Sequence, residues 1–198
     1  MDAPIEANVL LADGRHVGVR PIRPEDGQAL RGAFARLSPQ SRYSRFLHHR
    51  VALSDDTLRY LTDVDGHDHF ALVATSESLD LKEETGVAVA RFVRLEREPR
   101  VAEVAVTVLD AWQDCGLGAR MLRMLAEAAR ARGIDVFRAE ILTGHRAIPG
   151  LIERAHARVV ARDRSVTALE LDLAALVDDV PFLPFEPGRR PERHVVRS

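Results

Sequence analysis

Apolar residues alternate with polar or small ones at Val17, Val19 and Ile22, which predicts a short opening strand. Pro24, Glu25 and Asp26 then begin a helix. Proline suits the first helical position, the two carboxylates suit the positive end of the dipole, and Leu30, Phe34 and Leu37 form one apolar stripe. Ser38-Pro39 restarts the chain into a second helical piece, Gln40 to Leu47, and Ser54-Asp55-Asp56 caps a third that carries Leu58 and Leu61.

From Phe70 the period changes. Phe70 to Ala74, Gly86 to Val93 and Val101 to Leu109 are β-rich runs. They predict consecutive strands, the first two joined by a polar, acidic loop from Thr75 to Thr85 and the last two by a turn at Glu98-Pro99-Arg100. After Trp112 the spacing of Leu117, Met121, Leu125 and Ala128 is helical, with Gly133 placed to end the helix. Another strand is expected at Val136 to Leu142, a weaker helical stretch near Arg146 to His156, and strands near Val159 and from Val166 to Leu173. Residues 1–16 read as a lead-in, 17–173 as one domain, and 174–198, with its run of prolines, as a tail.

The 198 residues suit one domain, and 46% apolar with 29% charged residues describes a globular chain. Lys plus Arg (28) against Asp plus Glu (30) gives a net charge of -2, so nucleic acid and anionic lipid find no general attraction. A phosphate-bearing ligand would need a local site. The single cysteine, Cys115, rules out an internal disulfide and a thiolate-rich metal cluster. No leader-like start and no apolar run of about 18 residues is present, so a cytoplasmic location is expected.

The chemically informative stretch runs from Val106 to Arg120, a strand passing through a glycine turn into a helix. The first amides of a helix lack intrahelical acceptors and sit at the positive end of its dipole, and Gly116 and Gly118 let a diphosphate approach the backbone. Arg120 in the first turn opposes the dipole, which an anion bound nearby would explain. The spelling excludes a P-loop, since Ala119-Arg120 replaces Lys-Ser/Thr, and it lacks the third glycine of a Rossmann fingerprint.

Gln113-x-x-Gly116-x-Gly118, with Glu103 upstream in Ala102-Glu-Val-Ala-Val-Thr-Val, resembles the acetyl-CoA motif of the GCN5-related N-acetyltransferases (GNAT), and more narrowly their bacterial protein-lysine acetyltransferase branch. Val19-Arg-Pro-Ile-Arg-Pro-Glu-Asp and Leu37-Ser-Pro-Gln-Ser-Arg-Tyr-Ser-Arg-Phe46 extend the resemblance. It implies an α/β fold of the α+β type: a mixed, mostly antiparallel central sheet, splayed near its middle and flanked by helices. It further implies that acetyl-CoA lies in the splay. Val106 and Val108 would pair with the pantetheine, and Gln113, Asp114, Cys115, Gly116, Leu117, Gly118, Ala119 and Arg120 would hold the diphosphate. Glu103 would be the general base, directly or through a water, given enough burial to raise its pKa; Arg100 and Arg91 are the partners that would instead make it a plain ion pair.

Several positions depart from that pattern. Asp114 places an anion beside the diphosphate, a repulsion of about 1 kcal/mol at a surface. His145 stands where relatives carry an asparagine on the pantetheine, Ile152 where many carry a tyrosine acid, and His156-Ala157 where Gly-Phe is common. Pro149-Gly150 should kink or shorten that helix. His67-Asp68-His69 lacks a third ligand for a metal site, and none is expected. The expected reaction is acetyl transfer to a primary amine, a protein lysine first, with a small-molecule amine or a catalytically weakened acyl-CoA sensor as alternatives. The expected partners are acetyl-CoA and the acceptor, with a homodimer left open and neither nucleic acid nor membrane.

Overall fold

A computed structural model describes residues 6–41, 53–77, 84–145, 149–150, 153 and 155–178. Eight strands form one sheet in the order β1-β2-β3-β4-β5-β6-β8-β7. They are β1 (Ala7–Leu10), β2 (His16–Pro21), β3 (His69–Glu77), β4 (Glu84–Leu95), β5 (Glu98–Val108), β6 (Val136–Leu142), β7 (Arg158–Arg162) and β8 (Val166–Asp172). Every neighbouring pair is antiparallel except β5 and β6. The helices are α1 (Gly27–Arg36), α2 (Asp55–Thr62), α3 (Leu117–Ala131) and α4 (Leu173–Asp178).

The parallel pair positions the site. β5 and β6 are in register only at Val101↔Val136, Ala102↔Phe137 and Glu103↔Arg138, although β5 continues to Val108 and β6 to Leu142. Beyond Glu103 the two strands part, so the sheet opens into a splay, and the edge of β5 from Val104 to Val108 faces that opening. The resemblance implied this architecture, and the strand order has it.

Period-2 alternation assigns the two faces of β5. Ala102 is fully buried, and Val104, Val106 and Val108 pack with it against α3, which buries eight residues including Leu117, Met121 and Leu125. Phe92 bridges Phe70 and Phe137 with ring centroids 5.8 and 5.9 Å apart in this core. Glu103, Ala105 and Thr107 turn to the other face, over which α1 and α2 lie. Gly133, at φ 77, ends α3 in the left-handed conformation that only glycine adopts without strain.

Some boundaries differ from the pattern's expectation. β1 lies within the stretch read as a lead-in; its alternation is only four residues long, too short to stand out before pairing with β2. The turn between β4 and β5 falls at Glu96-Arg97, because Leu95 pairs with Glu98 and the strand absorbs Pro99 near its start. Thr75 to Glu77 and Glu84-Thr85 are strand where a loop was expected, with Ser76 opposite Thr85, Glu77 opposite Glu84, and Thr75 opposite Gly86. Ala174 does not start an unstructured tail: α4 buries Leu173 and Leu176 against α3 before the prolines begin. The expected helical piece Gln40 to Leu47 is described only through its first turn, residues 39–41, and Arg42, Tyr43, Arg45 and Phe46 lie outside the described residues. So do most of the acidic loop and of the Arg146 to His156 stretch, and residues 179–198. No described helix is long and apolar enough to cross a membrane.

Candidate active site

At the end of β5, the Leu109 amide bonds the Val87 carbonyl (2.9 Å), and the chain closes a 3-10 turn, Asp110–Trp112. The Gln113 amide donates back to the Asp110 carbonyl at 3.3 Å, so it belongs to this turn and not to a ligand cradle. Asp114 (φ 60) and Gly116 (φ 86) then take left-handed conformations, which aspartate tolerates and glycine adopts freely. Gly116 is the N-cap of α3, and no side chain caps the helix. The first amides, at Leu117, Gly118 and Ala119, have no intrahelical acceptor, and Gly118 lies beside Val108 at the end of β5. Space beside Gly116 is open: a Cβ there would meet nothing within 4 Å. A Cβ on Gly118 would only touch Val108 at 3.5 Å, an ordinary contact, so of the two glycines Gly116 is the one the backbone demands. This turn fits a diphosphate.

The other residues expected in the cradle take different roles. Gln113 directs its side-chain amide to the Val108 carbonyl (3.1 Å) and the Ser41 hydroxyl (3.4 Å), fixing the corner between strand and turn. Cys115 is buried and its thiol donates to the Trp112 carbonyl at 2.9 Å, turned inward and away from any disulfide with a ligand. Asp114 is exposed and Arg120 half-buried. Val106 and Val108 spend their side chains on the α3 core, leaving backbone for the splay.

Four residues the sequence did not mark brace this corner. Asp110 accepts from the Ser38 amide (3.0 Å), the Ser38 hydroxyl (2.9 Å) and the Ser41 hydroxyl (2.8 Å), tying the segment after α1 to the turn before α3. Burial pushes the Asp110 carboxyl up, but these donors outweigh it and hold the group below its usual value. Arg15, from the β1-β2 turn, lies 3.9 Å over the Trp112 ring and donates to the Ala111 carbonyl at 3.0 Å. The serine-rich start of the Leu37 to Phe46 motif was the available signal; nothing in spacing alone pairs it with Asp110, 69 to 72 residues later.

Glu103 sits where the splay begins, opposite Val93 on β4 and Arg138 on β6. It is exposed, without the burial expected of it, at the point where β5 and β6 part. Its register neighbour Arg138 is held by both oxygens of Glu98 (2.8 and 3.0 Å) and by Glu170 (2.9 Å). Arg100 pairs with Asp135, and Arg91 donates to His69 Nε2 (3.1 Å) and the Leu61 carbonyl (2.8 Å). Among the described residues Glu103 thus has no ion pair. His69, with Nε2 on Arg91 and its ring 4.9 Å from Tyr60, is a buried structural histidine.

The model of the acetyltransferase (GNAT) family matches residues 34–154, which holds the whole constellation of splay, turn and α3. The chain belongs to the GNAT family. It is 33% identical over 192 residues to acetyltransferase Pat of Mycolicibacterium smegmatis, covering 96% of this chain and 56% of that protein. It is 39% identical over 124 residues to acetyltransferase PA5475 of Pseudomonas aeruginosa, covering 62% of this chain and 64% of that protein. The matches therefore span less than two thirds of either relative's length. The crystal structure of the GNAT domain of S. lividans PAT superposes with a TM-score of 0.75 at 30% identity, over 86% of this chain and 99% of that one.

Within the GNAT frame the departures can be located. His145 follows β6, half-buried, with its amide on the Leu142 carbonyl at 2.9 Å. Ile152 lies outside the described residues. His156 has φ 48 and is exposed between the buried Ala155 and Ala157. The backbone there retains the left-handed turn that suits a glycine, while the residue is a histidine.

Proposed function

We propose that this GNAT domain moves an acetyl group from acetyl-CoA to a primary amine, in the first place a protein lysine, with Glu103 as the general base. The observation that carries this reading is the alignment along one strand: β5 leaves β6 beside Glu103, exposes its edge through Val108, and ends at the uncapped amides of α3. The diphosphate would rest on the backbone from Cys115 to Ala119, with Arg120 beside it and Asp114 weakening the attraction. The pantetheine would pair with the backbone of Val106 and Val108, and His145 would flank it from β6. The thioester then falls near Ala105, at the Glu103 end.

At pH 7 a lysine of pKa about 10.4 is neutral in only about one part in 10^3.4, a penalty of roughly 4.6 kcal/mol for a free-amine attack. Glu103 would take a proton from the nitrogen as bond formation makes that nitrogen more acidic. Being exposed, it does so through a water, as the nitrogen lone pair bonds to the carbonyl carbon and the C–S bond breaks. The leaving thiolate, with a pKa near 8.5, departs without a dedicated acid, in keeping with the isoleucine at position 152.

The test is release of CoA thiol with lysine peptides and with free polyamines. Glu103→Gln should lower kcat/KM by about 10²- to 10⁴-fold while leaving CoA affinity in place. An unchanged rate rejects the base; tight CoA binding with no acceptor turned over by the unaltered chain favours a sensing module.

A further inference from the structure

We propose that the cavity between α1 and the sheet receives the hydrocarbon part of acyl groups longer than acetyl, so that the domain accepts short- to medium-chain acyl-CoA. This rests on the transferase reading for the position of the thioester.

The cavity has a volume of about 150 Å³. Its walls are mostly apolar, with Leu30, Ala33 and Phe34 from α1, Leu61 from α2, and Val73 and Val89 from the sheet, while Arg20, Asp26 and Arg91 supply the charged part. α1 has no buried residue, although its apolar stripe points at the sheet, and among the described residues the cluster beneath it is Ile22, Ala71 and Val73 with Val64 and Val89 alongside. An amphipathic helix normally spends such a stripe on packing. Here part of it borders a partly open space. An apolar space near 150 Å³ admits a benzene-sized molecule, roughly six carbons, so the volume suffices for a chain of that size.

Location argues for an acyl chain. Thr107 and Leu109 of the β5 side line the cavity, as does Arg91, the register partner of Ala105. A thioester at the β5 edge beside Ala105 is therefore about one strand spacing, roughly 4.8 Å, from the space over β4. From that position an acetyl group is too short to enter the cavity, whereas a chain of about four to six carbons spans the distance, given C–C bonds of about 1.5 Å. The competing occupant, the acceptor lysine, fits poorly: an ammonium group would have to leave water for an apolar chamber whose polar walls include Arg91 and the Arg20–Asp26 pair, bonded at 2.8 Å.

Two measurements on the full chain decide this. Calorimetry without acceptor compares CoA, acetyl-, butyryl-, hexanoyl- and succinyl-CoA; thiol release with one lysine peptide compares the same thioesters. Affinity should rise from acetyl to hexanoyl by up to about fourfold per buried methylene, with succinyl-CoA no better than acetyl-CoA. Ala33→Phe should collapse the hexanoyl-to-acetyl ratio toward one, and the milder Ala33→Leu should halve the gain or more. Hexanoyl-CoA binding no tighter than acetyl-CoA overturns the proposal, as does a preference for succinyl-CoA or an Ala33→Phe ratio equal to that of the unaltered chain. The transferase reading fails separately: a chain-length trend in calorimetry with no turnover of any thioester leaves the cavity assigned and the catalysis refuted.

Discussion

The two faces of the sheet are built differently. Under α3, large apolar side chains interlock from Val9 to Leu176, and Leu117, Met121 and Leu125 have no exposed surface. Under α1 the cluster is small, a cavity remains, and the buried polar groups Arg91 and His69 sit at the same level of the sheet. Dense packing stabilises by roughly 25 cal/mol for each Å² of apolar surface removed from water, so the α3 face is the one where a truncated side chain should cost most. The other face is left free to bind. A sheet that splays can do both, because the coenzyme edge of β5 is shared by the two.

The largest expected effect tests this division. Leu125→Ala, in the filled core, should cost about 2–5 kcal/mol in denaturant unfolding, while Leu30→Ala on α1 should cost under about 1 kcal/mol, since part of its neighbourhood is already empty. Equal costs would erase the contrast between the faces.

A smaller effect separates them by pH. Desolvation and then the Arg91 charge hold the His69 imidazole below its ordinary value, with Asp65 pulling the other way. The folded state thus favours the neutral ring. Its contribution to stability is complete above about pH 6.5, the unfolded value, and is lost as the pH falls toward the folded one. Unfolding followed from pH 7 to pH 5 should show uptake of at most one proton on denaturation, and His69→Gln should flatten that slope. A slope that survives the substitution moves the titration to another group.

The smallest effect sharpens the dense face. His156 holds φ 48 between the buried Ala155 and Ala157, and His156→Gly should stabilise the domain by about 0.5–1 kcal/mol through relief of strain, less what glycine returns to the unfolded chain. Destabilisation would mean that the imidazole makes contacts outweighing the backbone cost.

How much of this was legible in the sequence follows physical lines. The α3 core was readable, since Leu117, Met121, Leu125 and Ala128 repeat at helical spacing and all are buried. The faces of β5 were readable from alternation, and the glycine turn from its unusual composition. Properties fixed by distant pairing were not. The four-residue β1 needs β2 to exist, the β4-β5 turn is set by Leu95 opposite Glu98, and Asp110 finds Ser38 and Ser41 only in the folded chain. Exposure of Glu103 and inward rotation of Cys115 likewise depend on where the splay opens and how the 3-10 turn closes, neither of which has a local signature.

The most direct test of the coenzyme edge is an amide-resolved titration of the 15N-labelled chain with acetyl-CoA. The largest shifts should fall on Cys115 to Ala119 and on Val106 and Val108, with the amides of β7 and β8 unmoved. Saturable binding that leaves Cys115 to Ala119 unshifted would contradict this assignment.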